Sequence, residues 1–298
     1  MSFKYSKIAL PIILLITLSL ACALTGGGET SLELSGEDSI ATSVAATLAA
    51  VEASKPTDNP PPAANPTMTA DAPPPPQPNF DYAGVSFYFS ELLAENITAG
   101  ITPGNYDENA PWWSTPEHRE FQFNNWVLSD AFHTPLIRIY PVGEFRAIND
   151  NVGTSLDELQ TVLENQPLDG TGLGVSDIFN AGQFFQSQVK YLDFQNGSGA
   201  RWLSQYGQAL FPVGWPYLFY TFQGFTNDGA YYISIIMPVN HPSMPNPDSV
   251  TLDDAFFENY ETYIDGVRNQ LEAESDASFM PSLVLLDQIV ESLLVGNP

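Results

Sequence analysis

Histidine, cysteine and serine often carry the chemistry of an unfamiliar chain, and here they give few signals. The three histidines, His118, His133 and His241, lie far apart, and none has a second histidine or a cysteine at the spacing of a zinc motif. A site that the fold assembles from distant residues would not show in this pattern. The motifs alone predict no metal ion and no cofactor.

Local motifs for nucleophiles and phosphate loops are also missing. Gly197-Ser198-Gly199 lacks the Gly-x-Ser-x-Gly spacing of a nucleophile elbow and separates two predicted strands, where a turn explains it. Gly170-Thr171-Gly172-Leu173-Gly174 lacks the Lys-Ser/Thr ending of a phosphate loop. The 35 aspartates and glutamates could supply a carboxylate pair for glycoside hydrolysis, but no spacing selects one. No catalytic residue is therefore predicted.

The aromatic residues of one predicted hairpin are the candidates for ligand binding. If Phe194 opposes Arg201, one face of the hairpin carries aromatic rings edged by a carboxylate, which suits a sugar or an apolar ligand. The four residues of this face are Tyr191, Asp193, Trp202 and Tyr206. The alternative is that these rings pack beneath a helix or beneath the segment that contains Trp112-Trp113.

Arg138 is one of few basic residues and lies within an apolar stretch, residues 136–140. A charge in such a stretch needs a partner. We expect a structural ion pair, and an anion-binding site is the alternative.

The chain has a single cysteine, Cys22, so it forms no intramolecular disulfide. Lys4 and Lys7 precede an apolar run, residues 8–20, which would be ~20 Å long as a helix and too short for the ~30 Å core of a bilayer. A basic start, a short apolar core and a small residue before a cleavage site are typical of an export signal.

The end of this segment, Ser19-Leu20-Ala21-Cys22, resembles the lipobox of bacterial lipoproteins. Ser19 stands where the strictest form of the motif has leucine, and Leu18 lies one position earlier. The resemblance implies that Cys22 is acylated and anchors the protein in a cell membrane, on the extracytoplasmic side. An ordinary secretory signal, cleaved at a neighbouring alanine, is the alternative.

Composition divides the chain into three parts. Residues 1–21 are the predicted signal peptide, and residues 22–79 are rich in Ala, Thr and Pro without any aromatic residue. Such a segment buries too little apolar surface to offset its chain entropy, so we expect a disordered tether that averages ~40 Å end to end. Residues 80–298 are dense in aromatics and long enough for one folded extracytoplasmic domain.

The formal net charge is −26, and it becomes −28 when Lys4 and Lys7 leave with the signal peptide. A field of this sign repels phosphate backbones and anionic lipids, which excludes nucleic acid as a partner. Membrane contact is therefore expected through the acylated cysteine rather than through charge.

Periodicity within residues 80–298 predicts strands followed by helices. The expected strands are residues 84–90, 121–128, 135–140, 188–195, 200–206, 217–226 and 230–239, and the expected helices are residues 154–166, 252–271 and 283–294. Residues 91–116 look irregular. Asn196-Gly197-Ser198-Gly199 and Asn227-Asp228-Gly229 have the composition of hairpin turns.

These elements predict an α+β fold. A meander of two hairpins joins N-terminal strands in an antiparallel sheet that is covered on both faces, with two C-terminal helices. If Thr226 opposes Ala230, neither face of the second hairpin is polar enough for water. The order of elements over the last half of the domain resembles the PsbP/Mog1-like fold, but a resemblance in fold order implies no activity.

By elimination we expect a lipid-anchored surface domain that binds an unknown ligand or an envelope protein without catalysis. An extracytoplasmic glycan hydrolase using a carboxylate pair is the alternative, and an accessory subunit of an envelope complex is a third. A deep cleft with two carboxylates would favour the enzyme, and an aromatic groove would favour binding.

Overall fold

The structure, a computed structural model, describes residues 76–178, 180–244 and 246–298. The predicted signal peptide, Cys22 and nearly all of the predicted tether lie outside the described residues. In the described part of the chain, no helix is both long enough and apolar enough to cross a membrane.

Ten strands and five helices make up the described part of the chain. The strands are Phe80–Tyr82 (β1), Val85–Phe87 (β2), Asn96–Thr102 (β3), His118–Asn124 (β4), Leu136–Pro141 (β5), Gly182–Phe194 (β6), Gly197–Gly207 (β7), Phe219–Thr226 (β8), Tyr231–Pro238 (β9) and Leu294–Val295 (β10). The helices are Val142–Ile148 (α1), Asp150–Asn165 (α2), Asp254–Glu258 (α3), Tyr260–Glu272 (α4) and Leu283–Ser292 (α5).

Seven of these strands form one sheet in the order β3-β4-β5-β9-β8-β7-β6, and every neighbouring pair is antiparallel. β1, β2 and β10 form a second, small antiparallel sheet. The predicted α+β class with an antiparallel sheet is confirmed.

Two hydrophobic cores lie on the two faces of the large sheet. The first core joins sheet residues such as Phe222 and Ile235 to α4, α5 and the small sheet. The second core joins Trp202 and Tyr232 to α1 and α2, with Leu156 of α2 among its buried members. β8 and β9 are buried on both sides, and apolar residues occur on both faces of each strand. Their polar side chains Thr221, Gln223 and Ser234 are buried and bond to one another.

The prediction of an irregular segment at residues 91–116 is wrong, because the segment contains β3. This strand pairs along its whole length with β4 and forms one edge of the sheet. Its sequence, Asn-Ile-Thr-Ala-Gly-Ile-Thr, alternates between partly buried and exposed positions and has no aromatic residue. A half-exposed edge strand of this kind lacks the apolar run that identifies the central strands.

The registers of the two predicted hairpins have different outcomes. Phe194 pairs with Gly197 rather than with Arg201, but the offset is an even number of residues, so the predicted faces are kept. In the second hairpin Phe225 pairs with Tyr232, one residue away from the predicted register. That offset moves every side chain of β9 to the other face, so the predicted division of the second hairpin is wrong.

The turn between β8 and β9 depends on Gly229. Its N–H donates to the carbonyl of Thr226 at 2.8 Å, and the Asp228 carboxylate accepts from Ala230 N at 3.0 Å. The φ of Gly229 is +69°, and a β-carbon there would meet no atom within 4 Å. A substitution at this position is therefore limited by backbone conformation and not by space.

We expect Gly229→Val to lower the free energy of unfolding by about 1–2 kcal/mol, the cost of a left-handed conformation for a β-branched residue. The loss is measured as a shift of several degrees in melting temperature. Gly229→Asn should lose less, because asparagine tolerates this conformation. Equal, negligible shifts for both variants would contradict a left-handed turn at this position.

Candidate functional site

A cavity of about 890 Å³ lies at one end of the large sheet, and we call it the end cavity. Leu136 at the start of β5 and Ile236 near the end of β9 are paired in the sheet and both line it. Tyr206 near the end of β7 also lines it, together with loops that precede β5, β6 and β8. The volume is in the range of small-molecule binding sites, ~300–1,000 Å³.

The walls of the end cavity are mainly apolar and aromatic. Its apolar lining includes Leu136, Ile178, Tyr206, Phe211, Tyr217 and Ile236. Phe132 and Leu252 also line the cavity, and both leave more than half of their side-chain surface in water. Large exposed apolar side chains around a concave site are typical of an interaction surface.

An ion network borders the apolar part of this cavity. Arg138 Nε donates to Glu120 Oε2 at 2.9 Å, and Arg138 Nη1 donates to Asp177 Oδ2 at 3.3 Å. Arg138 and Asp177 both line the cavity. The expected structural ion pair of Arg138 is therefore present, and it involves two carboxylates.

Asp177 is held by neutral donors as well as by the guanidinium. Its side chain is completely buried and accepts hydrogen bonds from Ser234 Oγ at 2.8 Å and from Tyr140 Oη at 3.2 Å. Burial, with the neighbouring Asp177 charge, raises the pKa of Tyr140 well above its usual value, so the hydroxyl remains a donor. A carboxylate with this many partners is a structural group with little left to offer a substrate.

Glu120 is the second carboxylate of the network. The imidazole of His118, with Nε2 3.9 Å from Oε2, and the guanidinium of Arg138 lower the pKa of Glu120 to about 2, against the effect of burial. Glu120 is therefore ionised at neutral pH. The three ionic side chains Glu120, Arg138 and Asp177 then carry two carboxylates against one guanidinium.

His133 lines the end cavity and has a buried ring nitrogen without a partner among the described residues. Its ring contacts Phe219 and Phe132, with centroid distances of 4.5 and 5.0 Å. Burial lowers the pKa of His133 to about 4, so the imidazole is neutral at neutral pH. Nε2 is shielded from solvent and has no hydrogen-bond partner among the described residues, so this nitrogen is a buried polar atom beside the cavity and not an open contact for a ligand.

The four predicted binding residues share one face of the sheet but do not surround one cavity. Tyr206 lines the end cavity, where its hydroxyl donates to Gln183 Oε1 at 2.9 Å. Tyr191 and Asp193 line a different groove of about 200 Å³. Trp202 is completely buried in the second core with residues of α2, which corresponds to the alternative in which the ring packs beneath a helix.

Most of the end cavity had no signal in the sequence. Its lining comes from short segments between residues 132 and 252 that the chain order keeps apart. Two local signs existed: Arg138, a charge that interrupts an apolar strand, and Tyr206, on the aromatic face of the first predicted hairpin. His133 and Tyr217 gave none, since neither has a chemically related residue at a motif spacing.

Metal chemistry has no candidate group in the described part of the chain: no cluster of three or more His, Cys, Asp or Glu side chains is placed to hold an ion. No family model, no curated protein and no solved structure matches the chain.

Proposed function

We propose that this chain is a lipid-anchored binding protein that takes a neutral or cationic amphipathic small molecule into the end cavity. The observation that carries the proposal is the cavity itself, with an apolar wall, an exposed apolar rim and an ion network on one side. A few polar groups in a mainly apolar concave site are the usual composition of a small-molecule site.

The charges favour a ligand without a negative group. Two carboxylates hold the guanidinium of Arg138, and Asp248 adds a further carboxylate to the cavity lining. An anion would meet this excess of negative charge in a strongly acidic protein. A ligand amine or hydroxyl would instead meet the exposed carboxylate of Asp248 and the aromatic faces of the lining.

Binding accounts for the network better than catalysis does. Arg138 and Asp177 are each bonded to other protein groups, and a general acid or base needs a free site within reach of the substrate. The network holds β4, β5, β9 and the loop before β6 in place. The cavity shape is thereby pre-formed, which favours affinity.

Cys22 supplies the anchor in this proposal, and the predicted tether spaces the domain from the bilayer. A tether confines the search for a ligand or an envelope protein near the membrane without fixing the orientation of the domain. The location of the domain follows from the lipobox resemblance and is part of the proposal.

An Ala181→Trp variant tests the cavity. Ala181 is a partly buried residue of the lining, and an indole there fills space that a ligand would occupy. We expect the full-length protein to bind the neutral fluorescent probe N-phenyl-1-naphthylamine, and the variant to bind it at least about tenfold more weakly. The measurement is a fluorescence titration, with anionic 8-anilinonaphthalene-1-sulfonate expected to bind less tightly than the neutral probe.

Ala277→Trp is the matched control, because Ala277 is exposed and does not line the end cavity. Probe uptake by detergent or by the apolar N-terminal segment is the same in both variants and cancels in the comparison. If Ala181→Trp and Ala277→Trp bind the neutral probe with equal affinity, the end cavity is not its binding site. Turnover of a glycan that Asp177→Asn abolishes would replace binding by hydrolysis.

A further inference from the structure

The segment between β3 and β4 presents a second cluster of aromatic rings to water, and we call it the aromatic turn. Tyr106, Trp112 and Trp113 are 62 %, 46 % and 44 % exposed. Trp202, in contrast, is completely buried. Large aromatic rings that stay exposed to water do not contribute the free energy that their burial would release. A cluster of such rings marks a surface that another molecule covers.

Backbone hydrogen bonds hold the aromatic turn in one shape. Asn105 and Thr115 exchange two of them, at 2.8 and 2.9 Å. Asn149 is buried, and its side-chain amide donates to the carbonyls of Trp112 at 3.0 Å and of Ser114 at 3.1 Å. Its amide oxygen accepts from Val152 N and so caps α2. The exposed rings therefore project from a pre-organised support, which lowers the entropy lost on binding.

The surroundings of these rings form a groove and not a flat patch. A groove of about 640 Å³ is lined by the rings of Tyr106 and Trp112 together with Asn149, Asp150 and Asn151. A neighbouring groove of about 380 Å³ shares Tyr106 and adds the side chains of Asn105 and Glu144. Tyr106 thus lines both grooves.

The polar side chains of both grooves are amides, hydroxyls and carboxylates. Neither lining includes a lysine or an arginine among the described residues. The side chains of Asp150 and Asn151 are exposed and form no hydrogen bond with another described residue. They can accept bonds from hydroxyl groups, and the asparagine can also donate.

We infer that the aromatic turn binds a neutral glycan. The C–H face of a sugar ring stacks on the exposed face of Trp112 or Tyr106, and its hydroxyl groups bond to the amide and carboxylate oxygens across the groove. Carboxylates in linings that hold no lysine or arginine among the described residues disfavour sulfated and phosphorylated glycans, and Arg146, next to Ala147 of the lining, is paired with Asp157. None of the residues that line these grooves lines the end cavity, so the inference stands independently of the proposed ligand there.

The test uses the purified full-length protein and four neutral probes: chitotetraose, cellotetraose, maltotetraose and mannotetraose. We expect at least one of them to shift the intrinsic tryptophan fluorescence and to bind in calorimetric titrations. Trp112→Ala and Tyr106→Ala should each weaken that binding about tenfold or more, as truncation of a contacting ring does. A heparin tetrasaccharide, which is strongly anionic, should not bind.

Phe257→Ala is the matched control, because Phe257 is also 46 % exposed but lies on α3, away from both grooves. It should leave glycan binding unchanged. The inference is overturned if none of the four neutral probes binds at millimolar concentration. It is also overturned if Trp112→Ala binds the glycan as tightly as the wild type does. The same holds if the substitution weakens binding to phosphatidylcholine vesicles and leaves glycan binding unchanged.

Discussion

An Arg201→Met variant is expected to lose on the order of 3–5 kcal/mol of the free energy of unfolding, the cost of removing one partner from a buried ion pair. Arg201 lies buried in β7, where Nη2 donates to Asp276 Oδ1 at 2.7 Å and Nε faces Asp287 Oδ1 at 3.4 Å. Methionine keeps much of the side-chain volume, so the loss reports the charge more than the packing.

Asp287 is the group that the substitution leaves without its buried cation. This carboxylate lies in α5 and also accepts from Tyr220 Oη at 3.1 Å and from Lys190 Nζ at 2.8 Å. Burial raises the pKa of Tyr220 well above its usual value, so its hydroxyl remains a donor. The remaining cation, Lys190, is nearly half exposed and compensates a buried charge less well.

Arg268→Met is the matched control for this prediction. Arg268 pairs with Asp265 at 2.5 Å, but both side chains are exposed, so we expect a loss of about 0–1 kcal/mol. Urea unfolding at neutral pH measures both variants. The double variant Arg201→Met/Asp287→Leu should regain part of the stability by removing the unpaired charge. Equal losses for Arg201→Met and Arg268→Met would contradict a buried network that fixes α5.

The faces of the first hairpin could be predicted because successive side chains of a strand point to opposite faces. A register error of an even number of residues therefore leaves every side chain on its predicted face. Lys190 and Arg201 pair directly, on the face that also carries Phe194, although Phe194 itself pairs with a different partner than expected. The second hairpin could not be assigned in this way. Apolar residues lie on both faces of β8 and β9, so their alternation does not distinguish the true register from one that is one residue away. Only the buried polar side chains Thr221, Gln223 and Ser234, which bond to one another, mark a single face.

The end cavity could not be predicted, for a related reason. Its lining residues are ordinary core and loop residues in their own segments, and only the antiparallel sheet brings Leu136 opposite Ile236. The aromatic turn was visible as Trp112-Trp113. The sequence did not show whether those rings are buried, because their position depends on β3. The polar edge pattern of β3 does not identify it as a strand.

The aromatic turn and the end cavity give the domain two separate surfaces of similar chemistry, aromatic rings bordered by carboxylates. A protein that holds a glycan through one surface and an amphipathic molecule through the other would work best close to a membrane and its glycan layer. Whether both proposed activities take place close to the membrane therefore depends on the lipid anchor, and the predicted attachment site of that anchor is Cys22.

Cys22→Ser is expected to abolish lipid labelling and to move the protein from the membrane fraction into the soluble fraction. Cys22 is the only thiol, a formal net charge of −26 offers no attraction to anionic lipid, and two or more acyl chains are needed for stable anchoring. The measurement is metabolic labelling with an alkyne fatty acid, followed by fractionation. Ser19→Leu, which restores the strictest form of the lipobox, should keep both labelling and membrane association. Unchanged membrane association of Cys22→Ser would disprove the lipoprotein assignment.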